Sequence, residues 1–171
     1  MAILVLGLGN TIMTDDGFGV RAVEVLSSRC RFQGEVRLLD GGTLGLDLLP
    51  HLEGVDRLLI VDALEMHAPP GSVFRLEGEE VPRAFAGKLT VHQMGVQDLL
   101  AVAELMGHLP GELVVWGVQP ECIEMGTELT TTVAAALEPV ITGVVEELRR
   151  WGVGYEGAVP AGDCPSGAEV S

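Results

Sequence analysis

Short apolar runs alternate along this chain with stretches of helical spacing. Five β-branched-rich segments stand out, at residues 2–8, 35–39, 57–61, 72–76 and 112–118. Between most of them apolar residues recur every three or four positions, the spacing of one helix face. Val20, Val23 and Leu26 mark a helix over 19–26, and a leucine-rich helix covers 44–52. Val96, Leu99, Leu100, Ala103 and Met106 form one inward stripe over 96–106. A last helix runs from about 131 to 151, capped by Thr130, with Val133, Leu137, Val140, Val144 and Leu148 inward. Its outer face carries Glu146, Glu147, Arg149 and Arg150. Pro139 inside that run predicts a kink or break.

Strands alternating with helices give parallel βαβ units, and near-continuous runs such as Ile3-Leu4-Val5-Leu6 mean a sheet covered on both faces. The interval between residues 63 and 72 is too short for a crossover helix. The fourth strand is therefore expected antiparallel, entered through the turn Pro69-Pro70-Gly71. Residues 78–90 form the longest irregular loop. Residues 1–151 read as a single α/β domain, and 152–171, rich in Gly, Pro, Ala and Ser without periodicity, as a disordered tail.

Composition narrows the function classes. The 25 acidic residues against 10 basic ones leave a net charge of −15, the wrong sign for nucleic-acid binding. No apolar run reaches the ~18–20 residues of a membrane span. The apolar start has no basic leader, so it reads as a first strand. Cys30, Cys122 and Cys164 are far apart and form no CxxC pair, which disfavours a closed zinc site and suits a reducing cytoplasm.

In open α/β sheets ligands bind outside the carboxyl ends of the strands, so the loops there carry the chemistry. The first is Gly7-Leu8-Gly9-Asn10, running on to Asp15-Asp16-Gly17-Phe18-Gly19. Ile12 occupies the third glycine position of a dinucleotide fingerprint, which makes a nucleotide site weak. The adjacent acids cannot both cap the following helix. Asp15 is read as the cap, which leaves Asp16 to point into the cleft. Asp62 ends the apolar third strand, where an acid has no ladder role and is costly to bury unpaired; Glu65 is a weaker second choice. Of four histidines, His51, His67 and His108 read as surface residues, while His92 leaves the long loop and enters a helix. Asp16, Asp62 and His92 would make an N/O ligand set suited to nickel or zinc with open positions. Asp40-Gly41-Gly42-Thr43 follows the second strand, either as a rim of the same cleft or as an Asx turn.

Taken in order, Gly7-x-Gly9-Asn10, Asp15-Asp16-Gly17-x-Gly19, Asp40-Gly41-Gly42-Thr43, Val61-Asp62-Ala63, His92 and Gly117-Val118-Gln119-Pro120 resemble the hydrogenase maturation endopeptidases. The resemblance spans roughly residues 3–150. It implies a three-layer α/β/α sandwich of the phosphorylase/hydrolase-like kind, with a five-stranded mixed sheet in the order 2-1-3-5-4 and strand four antiparallel. It also implies a cytoplasmic, aspartic-type endopeptidase that trims the C-terminal extension of a [NiFe]-hydrogenase large-subunit precursor after nickel insertion. The nickel would come with the substrate, leaving no permanent cofactor. Asp16, Asp62 and His92 would be the catalytic and metal-binding residues, and Asp40, Gly41, Gly42 and Thr43 would bind substrate. Nucleic acid and membrane are not expected partners. A chaperone that checks the nickel without cutting is the alternative from another class, and a nucleotide-binding regulator is a third reading.

Overall fold

β1 (Ile3–Leu8) is buried along its whole length and forms the middle of the molecule. Its alternating side chains feed two separate cores. Ile3 and Val5 pack on one face of the sheet, and Leu4, Leu6 and Leu8 on the other. In the computed structural model, which describes residues 1–82 and 94–157, the chain continues through α1 (Phe18–Arg29), β2 (Cys30–Phe32) and β3 (Val36–Gly42). Then come α2 (Leu49–Leu52), β4 (Arg57–Ala63), β5 (Val73–Glu77), α3 (Met94–Leu105) and β6 (Glu112–Val118). The last elements are α4 (Thr131–Ala134), α5 (Leu137–Arg150) and β7 (Tyr155–Gly157).

The main sheet has five strands in the order β3-β1-β4-β6-β5, and β5 pairs antiparallel with β6. Counted within that sheet alone, this is the expected order 2-1-3-5-4 with strand four reversed. The reversal follows from the short return after β4. Ser72 N closes on Pro69 O at 3.1 Å around Gly71, whose φ is 84°. α1, α4 and α5 cover one face, and α2 and α3 the other, which makes three layers. Among the described residues no helix is long and apolar enough to cross a membrane.

The structure departs from the sequence expectations in five places. The last helix breaks into α4 and α5 at Ala135–Ala136, upstream of Pro139. Pro139 thereby falls in the first turn of α5, where its missing N–H costs no helix bond. Glu147 is not on the water face. It is 2% exposed, because Arg75 of β5 binds it at 2.7 and 3.0 Å and Trp116 Nε1 lies at 3.3 Å. Met106 falls beyond α3 and is 56% exposed, while Leu99, Leu100 and Ala103 of the same stripe are buried. The ordered chain does not end at 151, since β7 pairs antiparallel with β2 in the register Cys30↔Gly157 and Phe32↔Tyr155. Such three-residue strands are too short to show a period. The fifth departure, at Asp15, belongs to the site. Residues 83–90 of the expected long loop and 158–171 of the expected tail lie outside the described residues.

Candidate active site

The parallel strands all end at one edge of the sheet, and close backbone packing builds that edge. A Cβ on Gly19, near the start of α1, would lie 2.0 Å from Val61 O and 2.5 Å from Leu8 O. The first turn of α1 therefore sits directly on the ends of β4 and β1. Gly9 has φ 127°, and a Cβ there would lie 1.7 Å from Asp16 O. These two contacts hold the 3₁₀ turn Thr14–Gly17 against the end of β4. Thr14 enters that turn at φ 52°, a left-handed conformation uncommon for a β-branched residue. Its N–H donates to Gly126 O at 2.9 Å and its hydroxyl donates to Glu124 O.

Asp16 is 4% exposed, and its Oδ2 accepts from Asn10 N at 3.0 Å, closing the loop after β1 on itself. Asp62 is fully buried, and its Oδ1 accepts from Ala63 N at 2.8 Å. Leu58 and Ile60 face the core beneath α3, so strand alternation turns Asp62 toward that same layer. The edge thus gathers Asp62 from β4 and Asp16 from the 3₁₀ turn packed against it. His92 lies outside the described residues, and the chain resumes at Met94 as the first residue of α3. Among the described residues no group of three or more His, Cys, Asp or Glu is close enough to hold a metal ion by itself.

On the other side of β1, Asp40 is exposed at the end of β3, in register with Gly7. Gly41 is buried, Gly42 takes φ 48°, and Thr43 is exposed. Gly9 N donates to Gly42 O at 2.9 Å, which ties this loop to the one that carries Asp16. The turn into the next segment is closed by backbone, Leu44 N to Gly41 O at 3.0 Å.

Asp15 does not cap α1, whose N-cap is Gly17 without a side-chain bond. It is fully buried, and its carboxylate gathers the loop after β6. Oδ2 accepts from Glu121 N and Cys122 N, both at 2.9 Å. Oδ1 accepts from Thr130 N at 2.8 Å, and the Thr130 hydroxyl lies 3.0–3.1 Å from both oxygens. Thr130 in turn caps α4 through Val133 N, as its place before that run predicted.

Gln119, one residue past β6, is a second fastening that sequence reasoning left without a role. It is 4% exposed; its Oε1 accepts from Met66 N at 2.8 Å and Ala68 N at 3.2 Å, and its Nε2 donates to Glu65 Oε2 at 2.9 Å. The signal that singled out Asp62, a polar residue directly after an apolar run, applies equally to Gln119. Glu65 is exposed and part of this brace. The His67 backbone N–H, and then the Gln119 amide, hold its carboxyl below the ordinary range. His67 projects into solvent at φ 56°, while His51 and His108 are half-buried.

Residues 20–147 match a family model described as hydrogenase maturation protease. The hydrogenase 2 maturation protease of Escherichia coli K12 is 42% identical over 154 residues, which cover 90% of this chain and 94% of that protein. The chain belongs to the hydrogenase maturation protease family. This protease is also 43% identical over 154 residues to the hydrogenase expression/formation protein HupD of Rhodobacter capsulatus, covering 88% of the chain and 73% of HupD. Its fold matches the hydrogenase maturating endopeptidase HybD from E. coli with a TM-score of 0.88 at 41% identity, over 95% of this chain and 99% of that one. It matches HybD from Thermococcus kodakarensis, a [NiFe] hydrogenase maturation protease, with a TM-score of 0.71 at 30% identity, over 86% and 99%. The α/β sandwich with its mixed five-stranded sheet is thus the family fold.

Proposed function

We propose that this maturation protease is a cytoplasmic endopeptidase that removes the C-terminal extension of a [NiFe]-hydrogenase large-subunit precursor once nickel has been inserted. The observation that carries the reading is the burial of Asp62 near the end of β4 and of Asp16 in the 3₁₀ turn packed against that strand, in a chain 42% identical to a hydrogenase 2 maturation protease. Two buried carboxylates at such an edge offer oxygen donors to a borderline divalent ion, and His92 would add an imidazole nitrogen. The ion is the nickel carried by the precursor, so the protease itself keeps no permanent cofactor. Asp16, Asp62 and His92 complete its coordination, the metal polarises the scissile region, and a carboxylate or the metal activates water. The Asp40-Gly41-Gly42-Thr43 loop, tied through Gly9 to the Asp16 loop, contacts the substrate.

Nickel-loaded precursor incubated with wild type should lose its extension, read by mass spectrometry. Asp16→Asn, Asp62→Asn and His92→Ala should each slow that loss by at least ~100-fold. Full processing by all three variants would eliminate this site. An intact precursor that nevertheless binds wild type tightly would favour the non-cleaving chaperone.

A further inference from the structure

Ile12 is 52% exposed, Ile123 47% and Met125 84%, which is unusual exposure for large apolar side chains in one place. They belong to one patch because the loop after β6 lies along the loop after β1. Gly126 N donates to Ile12 O at 3.0 Å, Met13 bridges Gly126, and Asp15 N donates to Cys122 O at 3.0 Å. The patch is therefore preformed on the lip of the edge that holds Asp16 and Asp62.

Among the described residues the charge at this edge is one-sided. Residues 9–16, 40–48, 62–72 and 119–130 together carry nine carboxylates and no lysine or arginine. Arg21 of α1, which reaches Thr127 O at 2.7 Å, already faces Glu24 at 3.5 Å. A second copy of the chain would bring the same acids against these, at a repulsive cost. A partner with cationic and apolar side chains complements both features at once.

We propose, taking the processing role as given, that Ile12, Ile123 and Met125 seat a basic, apolar stretch of the precursor next to the scissile bond, while Glu121, Glu124 and Glu128 attract its positive charge. Apolar burial holds the segment, and the acids speed and orient its arrival, so substrate capture weakens with salt.

The test measures kcat and KM for processing of a nickel-loaded large-subunit precursor at low and high NaCl. The triple variant Ile12→Ser, Ile123→Ser, Met125→Ser should lose roughly tenfold or more in kcat/KM, mainly through KM. Leu105→Ser with Met106→Ser, exposed apolar residues at the other end of α3, should process like wild type. Glu121→Gln, Glu124→Gln and Glu128→Gln together should raise KM at low salt and flatten its salt dependence. Unchanged KM in the serine variant, or a salt response that survives the glutamine variant, would overturn the proposal. So would a wild-type dimer in sedimentation that the serine variant dissolves, since the patch would then belong to a second copy. If wild type cleaves nothing, the processing role fails separately. Calorimetric binding to the same precursor then decides the patch by the same comparison of variants.

Discussion

Asp15→Ala removes the acceptor that gathers the loop after β6, and its cost can be worked from the contacts. Three backbone N–H groups, of Glu121, Cys122 and Thr130, and the Thr130 hydroxyl converge on a carboxylate with no solvent exposure. A buried donor left without a partner costs about 1–3 kcal/mol, and water entering the vacated space recovers part of that for three donors. The expected loss is about 3–5 kcal/mol, or roughly 6–20 °C in Tm for a chain of this size. Asp15→Asn discriminates further. Its amide oxygen can serve Glu121 N and Cys122 N, and its NH2 can donate to the Thr130 hydroxyl. The Thr130 N–H is then left facing a donor, for a cost of about 1–3 kcal/mol. Urea unfolding followed by circular dichroism gives the order wild type, Asn, Ala, and hydrogen exchange should show the 121, 122 and 130 amides opening first in the alanine variant. A mere helix cap would cost about 1 kcal/mol. A loss that small for Asp15→Ala, with those three amides still protected, would refute the anchoring role.

Gly19→Ala places a Cβ 2.0 Å from Val61 O, so α1 must lift off the strand ends; we expect a loss of about 3 kcal/mol or more and impaired processing, and a melting curve matching wild type would contradict the contact. Burial pushes the Glu147 carboxyl up, but the bidentate Arg75 guanidinium, together with Arg150 and the Trp116 N–H, more than reverses this and holds it below the ordinary 4.5. A depressed folded pKa means this stabilisation is present at neutral pH and is lost as pH falls through the folded value. Arg75→Ala should therefore cost about 3–5 kcal/mol near pH 7, with the gap to wild type narrowing in acid; a gap constant with pH would refute the coupling. Burial raises the Cys30 thiol above 9.0, with Arg29 opposing it, whereas Cys122 is half-buried. Iodoacetamide near pH 8 should label Cys122 well before Cys30, as read by peptide mass spectrometry, and equal rates would count against that burial.

The parts of this fold that were legible in the sequence are those with a long period. Ile3 to Leu8 reads as a strand buried on both faces, and the antiparallel β5 follows from the shortness of the 63–72 connection. The place of Asp62 at the sheet edge was legible because a carboxylate directly after Leu59-Ile60-Val61 breaks an apolar run. What escaped were pairings between residues far apart. Glu147 sits on a helix stripe that reads as solvent-facing, and its distant partners Arg75, 72 positions earlier, and Trp116 explain its burial. The β2–β7 ribbon joins Phe32 to Tyr155, and no local signal in either three-residue strand announces the partner. Asp15 was misread for the same reason, since all its donors lie more than a hundred positions away.

That misreading bears on the chemistry. Adjacent aspartates invite the idea of a carboxylate pair sharing a proton, the arrangement of aspartic proteases. A 3₁₀ turn has three residues per turn, so the neighbours Asp15 and Asp16 leave the backbone about 120° apart. Asp15 turns to the 121–130 loop, where both its oxygens are occupied by donors, and Asp16 turns back to Asn10. A carboxylate saturated by three backbone N–H groups and a hydroxyl has no lone pair well placed for a water or a metal. The sequence-adjacent pair is therefore not a dyad. Asp15 sets the loop that carries Ile123 and Met125, and Asp16 is the member of the pair that the proposed reaction uses. Its acidic counterpart in that proposal is Asp62, in the strand the turn packs against and 46 positions later in the sequence, on the α3 side of the sheet. The proposed chemistry thus depends on the crossing at Gly19, where one helix meets the ends of two strands.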